Sequence, residues 1–176
     1  MEASEEKREE YKELIKSIDI TKLVYVDETG IELNARNDRG WGKKGVVLNA
    51  KKSCKYYQRT NIVAGYVNGN PVAPMVFYGS CDSLLFEAWV KQFLIKELQD
   101  GQTVIMDNAT FHKSEKIYKM IKSVGCNIVF LPPYSPDLNP IETFWANLKK
   151  FIKSHINSFD NFSLALDSFF ISPNPN

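Results

Sequence analysis

Three acids stand where their chemistry could be shared. Asp27 follows the apolar run Leu23-Val24-Tyr25-Val26, and Asp107 follows Val104-Ile105-Met106. Short apolar runs of this kind read as buried central strands. In an open α/β sheet, ligands bind beyond the carboxyl ends of the strands. If the two strands are parallel neighbours, both carboxylates project into one small volume. Two anions that close repel, and a divalent metal removes the conflict. The third acid, Glu142, stands in Asn139-Pro140-Ile141-Glu142 at the start of a helical pattern. Each acid also has a plainer reading. Asp27 and Asp107 can be turn or capping residues at strand exits, and Glu142 can close a capping box with Asn139. The residues alone leave both readings open. Along the helix, Ile141, Phe144, Trp145, Leu148 and Ile152 form the core stripe, and Glu142, Ala146, Lys149 and Lys153 share another face. A carboxylate on that face could hold a metal while the two ammonium groups meet a phosphate backbone.

The elements that must position these acids follow from periodicity and turn chemistry. Residues 3–18 predict a charged helix with sparse apolar positions at Tyr11, Leu14, Ile15 and Ile18, an arm or the end of a linker spanning 1–20. Asn61 to Val67 and Val72 to Tyr78 are β-rich runs joined by Asn68-Gly69-Asn70, a hairpin signal because these residues tolerate positive φ. Asp82 or Ser83 can cap a helix to about Leu98 with Leu85, Ala88, Trp89 and Ile95 as its apolar positions. Thr103 to Met106 predicts a second buried strand, Ser114 to Val124 a helix ended by Gly125, and Asn127 to Leu131 a third buried strand stopped by Pro132-Pro133. Pro140 suits the first turn of a helix reaching about Ser154. Asp160 to Phe170 reads as a last short helix, and 171–176 as a tail. The order predicts one α/β unit over 21–170, a mixed sheet of an antiparallel hairpin plus parallel strands, with helices on both faces.

Apolar residues make up 44% and charged residues 24% of the 176, the balance of a soluble globular chain. No apolar run is long enough to span a bilayer, and Met1 to Glu13 lacks the apolar core of a secretory signal. The cysteines, Cys54, Cys81 and Cys126, are odd in number and far apart, which suits reduced thiols better than a zinc site. The net charge of +1 hides an uneven distribution. Residues 1–20 carry −3. Residues 34–59 carry +7, from Arg36, Arg39, Lys43, Lys44, Lys51, Lys52, Lys55 and Arg59 against Asp38. So basic a segment suggests a phosphate-facing surface, with a solvated loop as the plain alternative. Gly40-Trp41-Gly42-Lys43-Lys44-Gly45 fits GxGxxG. A dinucleotide site needs that motif between a strand and a helix, and Val46-Val47-Leu48 reads instead as a short strand.

Asp27-Glu28, Asp107-Asn108 with His112, and the run from Leu131 through Pro132-Pro133-Tyr134-Ser135-Pro136-Asp137-Leu138 to Asn139-Pro140-Ile141-Glu142 together resemble the DDE transposases of the mariner-like superfamily, bacterial insertion-sequence members included. The 34 residues between Asp107 and Glu142 match that group's spacing, and the resemblance spans roughly residues 20–165. It implies an RNase H-like fold. It implies that Asp27, Asp107 and Glu142 hold two Mg²⁺ ions, with Mn²⁺ able to substitute, and that the chain cleaves and transfers DNA strands by in-line displacement at phosphorus. It implies Asn108 and His112 as supporting residues, Tyr134 and Ser135 as shapers of the loop before the last long helix, DNA as partner, a homodimer in the active complex, and a bacterial, cytoplasmic, nucleoid-associated setting. Relatives carry helix-turn-helix modules ahead of this unit. The twenty or so residues before the first strand are too few for one, which points to a split reading frame, a shortened copy or an excised piece. Two rivals stand beside this reading. A phosphatase of the haloacid-dehalogenase type would need a second aspartate where Thr29 stands. A catalytically silent remnant would act as a DNA-binding or interaction module.

Overall fold

Alternation along one strand decides the layout. The structure is a computed structural model that describes residues 5–32 and 59–171. In β1 (Leu23–Ile31), Val24 and Val26 enter one hydrophobic cluster, while Leu23, Tyr25 and Ile31 enter clusters on the opposite face. This is the period of two that a pleated strand imposes. β2 (Thr60–Val67) pairs antiparallel with β1, and β3 (Asn70–Tyr78) antiparallel with β2. The turn between them places Asn68 at φ 48° and Gly69 at φ 82°. Two positive φ values match the twist of the flanking strands, so the hairpin read from asparagine and glycine is present. β4 (Thr103–Met106) pairs parallel with β1, and β5 (Asn127–Phe130) parallel with β4. The sheet order is β3-β2-β1-β4-β5.

Helices cover both faces, as the element order predicts. On one side, α2 (Ser83–Trp89) runs through a π-helical turn (Val90–Leu94) into α3 (Ile95–Glu97), and α4 (Glu115–Ser123) lies beside it. Phe86, Trp89, Val90 and Leu94 pack there with Ile117, Ile121, Val24, Val63, Val104 and Met106. Burying one such side chain contributes about 1.5–3 kcal/mol. The indole N–H of Trp89 donates to the carbonyl of Ala73 at 2.8 Å, so its burial leaves no orphan donor. On the other side, α5 (Ile141–His155) and α6 (Phe162–Ile171) bury Ile141, Trp145, Leu148, Ile152, Ala165, Leu166 and Phe169 against Ile62 and Ala64. α1 (Glu5–Lys16) lays Tyr11 on the same side, with Leu23, Ile105 and Leu131. Among the described residues, no helix is long and apolar enough to cross a membrane.

Several expectations change. β1 does not stop before Asp27; antiparallel pairing with β2 carries it on to Ile31. β5 is an edge strand and only half-buried, because nothing pairs on its outer side among the described strands. Asp82, not Ser83, caps α2, its carboxylate accepting from the Leu85 N–H at 2.9 Å. Ala88 is exposed, and beside Trp89 the buried positions are Phe86, Val90 and Leu94, four residues apart on one helix face. Asn139 and Glu142 form no capping box. Pro140 takes the cap position of α5 and no side chain caps it. The strand expected at Val46–Leu48 and the glycine-rich Gly40–Gly45 lie outside the described residues, as does Cys54; Cys81 and Cys126 are free thiols.

Candidate active site

The parallel ladder between β1 and β4 ends at Tyr25 and Ile105. Beyond it β1 keeps pairing with β2, Asp27 opposite Ala64, while β4 ends at Met106. The split opens a gap between two neighbouring strands. Asp27, in phase with Tyr25, faces the side that carries α5. Asp107 follows the last residue of β4. Glu142 is exposed in the first turn of α5. The three acids, from three elements, line one cleft of about 390 Å³, together with Asn108, Tyr134 and Asn139.

The charge in this cleft is under tension. Burial pushes the Asp27 carboxyl up to about 7, and the negative charges of Glu142, Glu28 and Asp107 push the same way. Asp107 moves oppositely. Its hydrogen bond with His112 holds it below the usual carboxylate range. Oδ1 of Asp107 faces Nδ1 of His112 at 2.6 Å and accepts the Ala109 N–H at 2.8 Å. Nε2 of His112 faces Oε1 of Glu28 at 3.1 Å. The His112 side chain has no exposed surface. Burial alone would lower its pKa, but hydrogen bonds with Asp107 and Glu28 outweigh that and raise it to about 9. Buried so, His112 contacts Asp107 from within the fold.

The loop from Pro132 to Asn139 forms the far wall. The Asn108 side-chain amide donates to the Leu131 carbonyl, and the Leu131 N–H donates to the Met106 carbonyl at 2.8 Å, tying the loop's start to the Asp107 turn. Tyr134 is exposed and left-handed at φ 56°, a conformation that costs a non-glycine residue about 1–3 kcal/mol. Ser135 is buried, and Nη1 of Arg8 donates to its hydroxyl at 2.8 Å. The Arg8 guanidinium also grips both oxygens of Asp137, at 3.0 and 2.6 Å. Asn139 is buried with its Oδ1 lacking a hydrogen-bond partner among the described residues.

The donor set suits a hard divalent cation: three carboxylates and an orphaned amide oxygen on one cleft, with no thiol. Yet among the described residues no three His, Cys, Asp or Glu side chains are gathered closely enough to hold a metal ion. Asp107 is turned towards His112, whose Nδ1 lies 2.6 Å from its Oδ1. Lys149 and Lys153 are exposed on α5, the helix that carries Glu142. Arg36, Arg39, Lys43 and Lys44, the other candidates for phosphate contact, lie outside the described residues. Sequence reasoning missed Arg8 and the part played by Glu28. The signal for Glu28 was its place next to Asp27 on a strand, which must turn it to the opposite face.

The chain matches the protein family described as DDE superfamily endonuclease over residues 22–163. Among solved structures, the Mos1 transposase paired-end complex with left transposon end superposes at a TM-score of 0.71 with 14% identity, covering 99% of this chain and 57% of that one. A pre-cleavage Mos1 transpososome gives 0.70 at 14%, covering 99% and 58%. The catalytic domain of Mos1 mariner transposase gives 0.64 at 15%, covering 99% and 85%. The chain thus spans a little over half of the longer Mos1 chains and most of the catalytic domain. At such identities the likeness is one of fold, an RNase H-like mixed sheet flanked by helices. No curated protein matches the sequence.

Proposed function

From the premise that this chain belongs to the DDE superfamily endonucleases, we propose that it is a transposase catalytic domain, of the bacterial insertion-sequence type, that cleaves DNA strands and joins them to a target. The single observation that carries this reading is the convergence of Asp27, Asp107 and Glu142 on one cleft at the point where β1 and β4 part.

In this reading the catalytic unit spans 21–170, and Asp27, Asp107 and Glu142 hold two divalent ions, Mg²⁺ or in its place Mn²⁺. Metal bound there would supply Lewis acidity at the scissile phosphate. The chain's own residues do the rest. Asp27, whose carboxyl burial and its neighbours push up to about 7, would lose its proton to bulk water on taking up an ion. Asp107 is held in one orientation by His112 and the Ala109 N–H. Asn108 fixes the loop that closes the cleft. Lys149 and Lys153 draw the phosphate backbone along α5, and Arg36, Arg39, Lys43 and Lys44 add charge from the basic segment. The substrates are transposon ends and target DNA, the active complex is a homodimer, and the setting is the nucleoid of a bacterial cytoplasm. The Mos1 relatives by fold include a paired-end complex with left transposon end and a paired-end complex with Mn, which supports the choice of DNA and of metal.

A second reading, a catalytically silent remnant that binds DNA or a protein, is favoured by the acids' not being gathered into a metal-holding group among the described residues. One experiment separates the two. Wild-type protein is expected to nick supercoiled plasmid only with Mg²⁺ or Mn²⁺, and Asp107→Asn is expected to be inert. Equal nicking by both, or none by the wild type, removes the transposase reading.

A further inference from the structure

On the face of the sheet away from the carboxylate cleft, an acid and a histidine form a brace that ends on Asp107. Glu28 follows Asp27 in β1, so the pleat turns it to the opposite side. It does not line the carboxylate cleft; it lines a separate recess of about 530 Å³ with Thr29, Arg59 and Cys81. There its Oε1 meets Nε2 of His112 at 3.1 Å. The opposite ring nitrogen, Nδ1, meets Oδ1 of Asp107 at 2.6 Å. With a carboxylate oxygen at each ring nitrogen, each contact fixes the ring for the other. The rings of Phe86 and Phe111, each 4.3 Å from the His112 ring, confine it from the sides.

We propose that Glu28 is a positioning residue of the active site, acting through His112 to hold the Asp107 carboxylate so that Oδ1 is engaged inside the fold and Oδ2 faces the cleft. Both hydrogen bonds to Asp107 fall on Oδ1, and Oδ2 has no hydrogen-bond partner among the described residues. Among the described residues, then, Asp107 has one oxygen engaged within the fold and one without a hydrogen-bond partner. Removing the Glu28 contact frees the ring to tilt and Asp107 to rotate. Outer partners of metal ligands matter in this way, and losing one typically costs about 10–100-fold in metal affinity or activity.

The inference rests on the reading of Asp107 as a metal ligand, and its test is built to fail separately. Mn²⁺ affinity is measured by electron paramagnetic resonance, without DNA, for wild type, Glu28→Ala, Asp107→Asn and the double variant. Alanine removes the acceptor that His112 meets, which glutamine would keep. Glu28→Ala is expected to weaken binding about 10-fold or more, yet to change nothing further in the Asp107→Asn background, because its effect passes through Asp107. Equal affinity of Glu28→Ala and wild type overturns the proposal. So does the same loss in both backgrounds, which would mark a general charge effect. Should Glu28→Ala not fold, Glu28→Asp, which keeps the charge and shortens the reach by one methylene, is read the same way. If the wild type neither binds Mn²⁺ nor nicks DNA, the transposase reading fails. The brace is then decided by nitrogen-edited NMR of His112. Ring signals that shift in Glu28→Ala support it; an unchanged ring in the variant overturns it.

Discussion

Asp27 registers the uncompensated charge of the cleft. Its carboxyl is pushed up to about 7, by burial first and then by Glu142, Glu28 and Asp107. The folded pKa lies above the unfolded value, so between about pH 4 and 7 the native state keeps a proton that the unfolded chain has lost. Stability of the metal-free protein therefore falls as pH rises through that window, by on the order of 4 kcal/mol if Asp27 acts alone. Asp27→Asn should remove the fall. Glu142→Gln, which takes away the neighbouring charge that acts most on Asp27, should shift it to lower pH. Urea denaturation of the three proteins from pH 4 to 8 checks this; parallel profiles would assign the dependence to another group. His112, raised to about 9, loses its own contribution at higher pH, from about 6.5 upward, so the lower part of the window reports Asp27. At this scale the sequence singled out Asp27, Asp107 and Glu142 by their place at strand ends and a helix start, and the three line one cleft. It could not show Glu28 meeting His112, because 84 positions separate them and only the sheet order brings them together.

Between elements, the least legible contact is the grip of α1 on the loop before α5. The charged pattern of residues 3–18 reads as an arm because its apolar positions, Tyr11 among them, are sparse. In the fold that anchor is buried, and Arg8 reaches Ser135 and both oxygens of Asp137. That loop lines the cleft and leads directly into Glu142. Arg8→Lys keeps the charge and loses the planar fork. It is expected to slow single-turnover nicking, by up to about a hundredfold if the loop shifts by an ångström, with far-ultraviolet circular dichroism unchanged. A rate equal to wild type in both Arg8→Lys and Arg8→Ala would show that the grip does not position the loop. Elements whose signals are local were readable: the Asn68-Gly69 turn, the Asp82 cap and the stripe of α5 all carry their reason within a few residues. The length of β1 and the edge position of β5 were not. Each depends on which strand lies alongside, and partner choice is not written within the strand itself.

Across the whole molecule, the net charge of +1 says little about DNA, and the placement of charge says more. On α5, Lys149 and Lys153 are exposed and share a helix with Glu142. At 1.5 Å per residue they lie roughly 10 and 16 Å along the axis from that acid. A phosphate backbone seated at the cleft and running along α5 therefore meets one ammonium group and then the next. Neither lysine forms an ion pair with a described residue, whereas Lys12, Lys16, Lys116 and Lys119 each have an acidic partner. Binding through such contacts releases counterions, so affinity falls linearly with salt on logarithmic axes, by roughly 0.9 per phosphate contact. The double variant Lys149→Ala/Lys153→Ala should bind a random duplex more weakly at low salt, with a slope flatter by about two units. The loss should be the same for duplexes of different sequence, since phosphates carry no base identity. Lys16→Ala, on α1 and already paired with Glu13, serves as the control and should leave the slope as it is. A salt titration by fluorescence anisotropy reads all three proteins. If the double variant keeps the wild-type slope, α5 is not the face the backbone follows, and the basic segment at 34–59 must carry the contact instead.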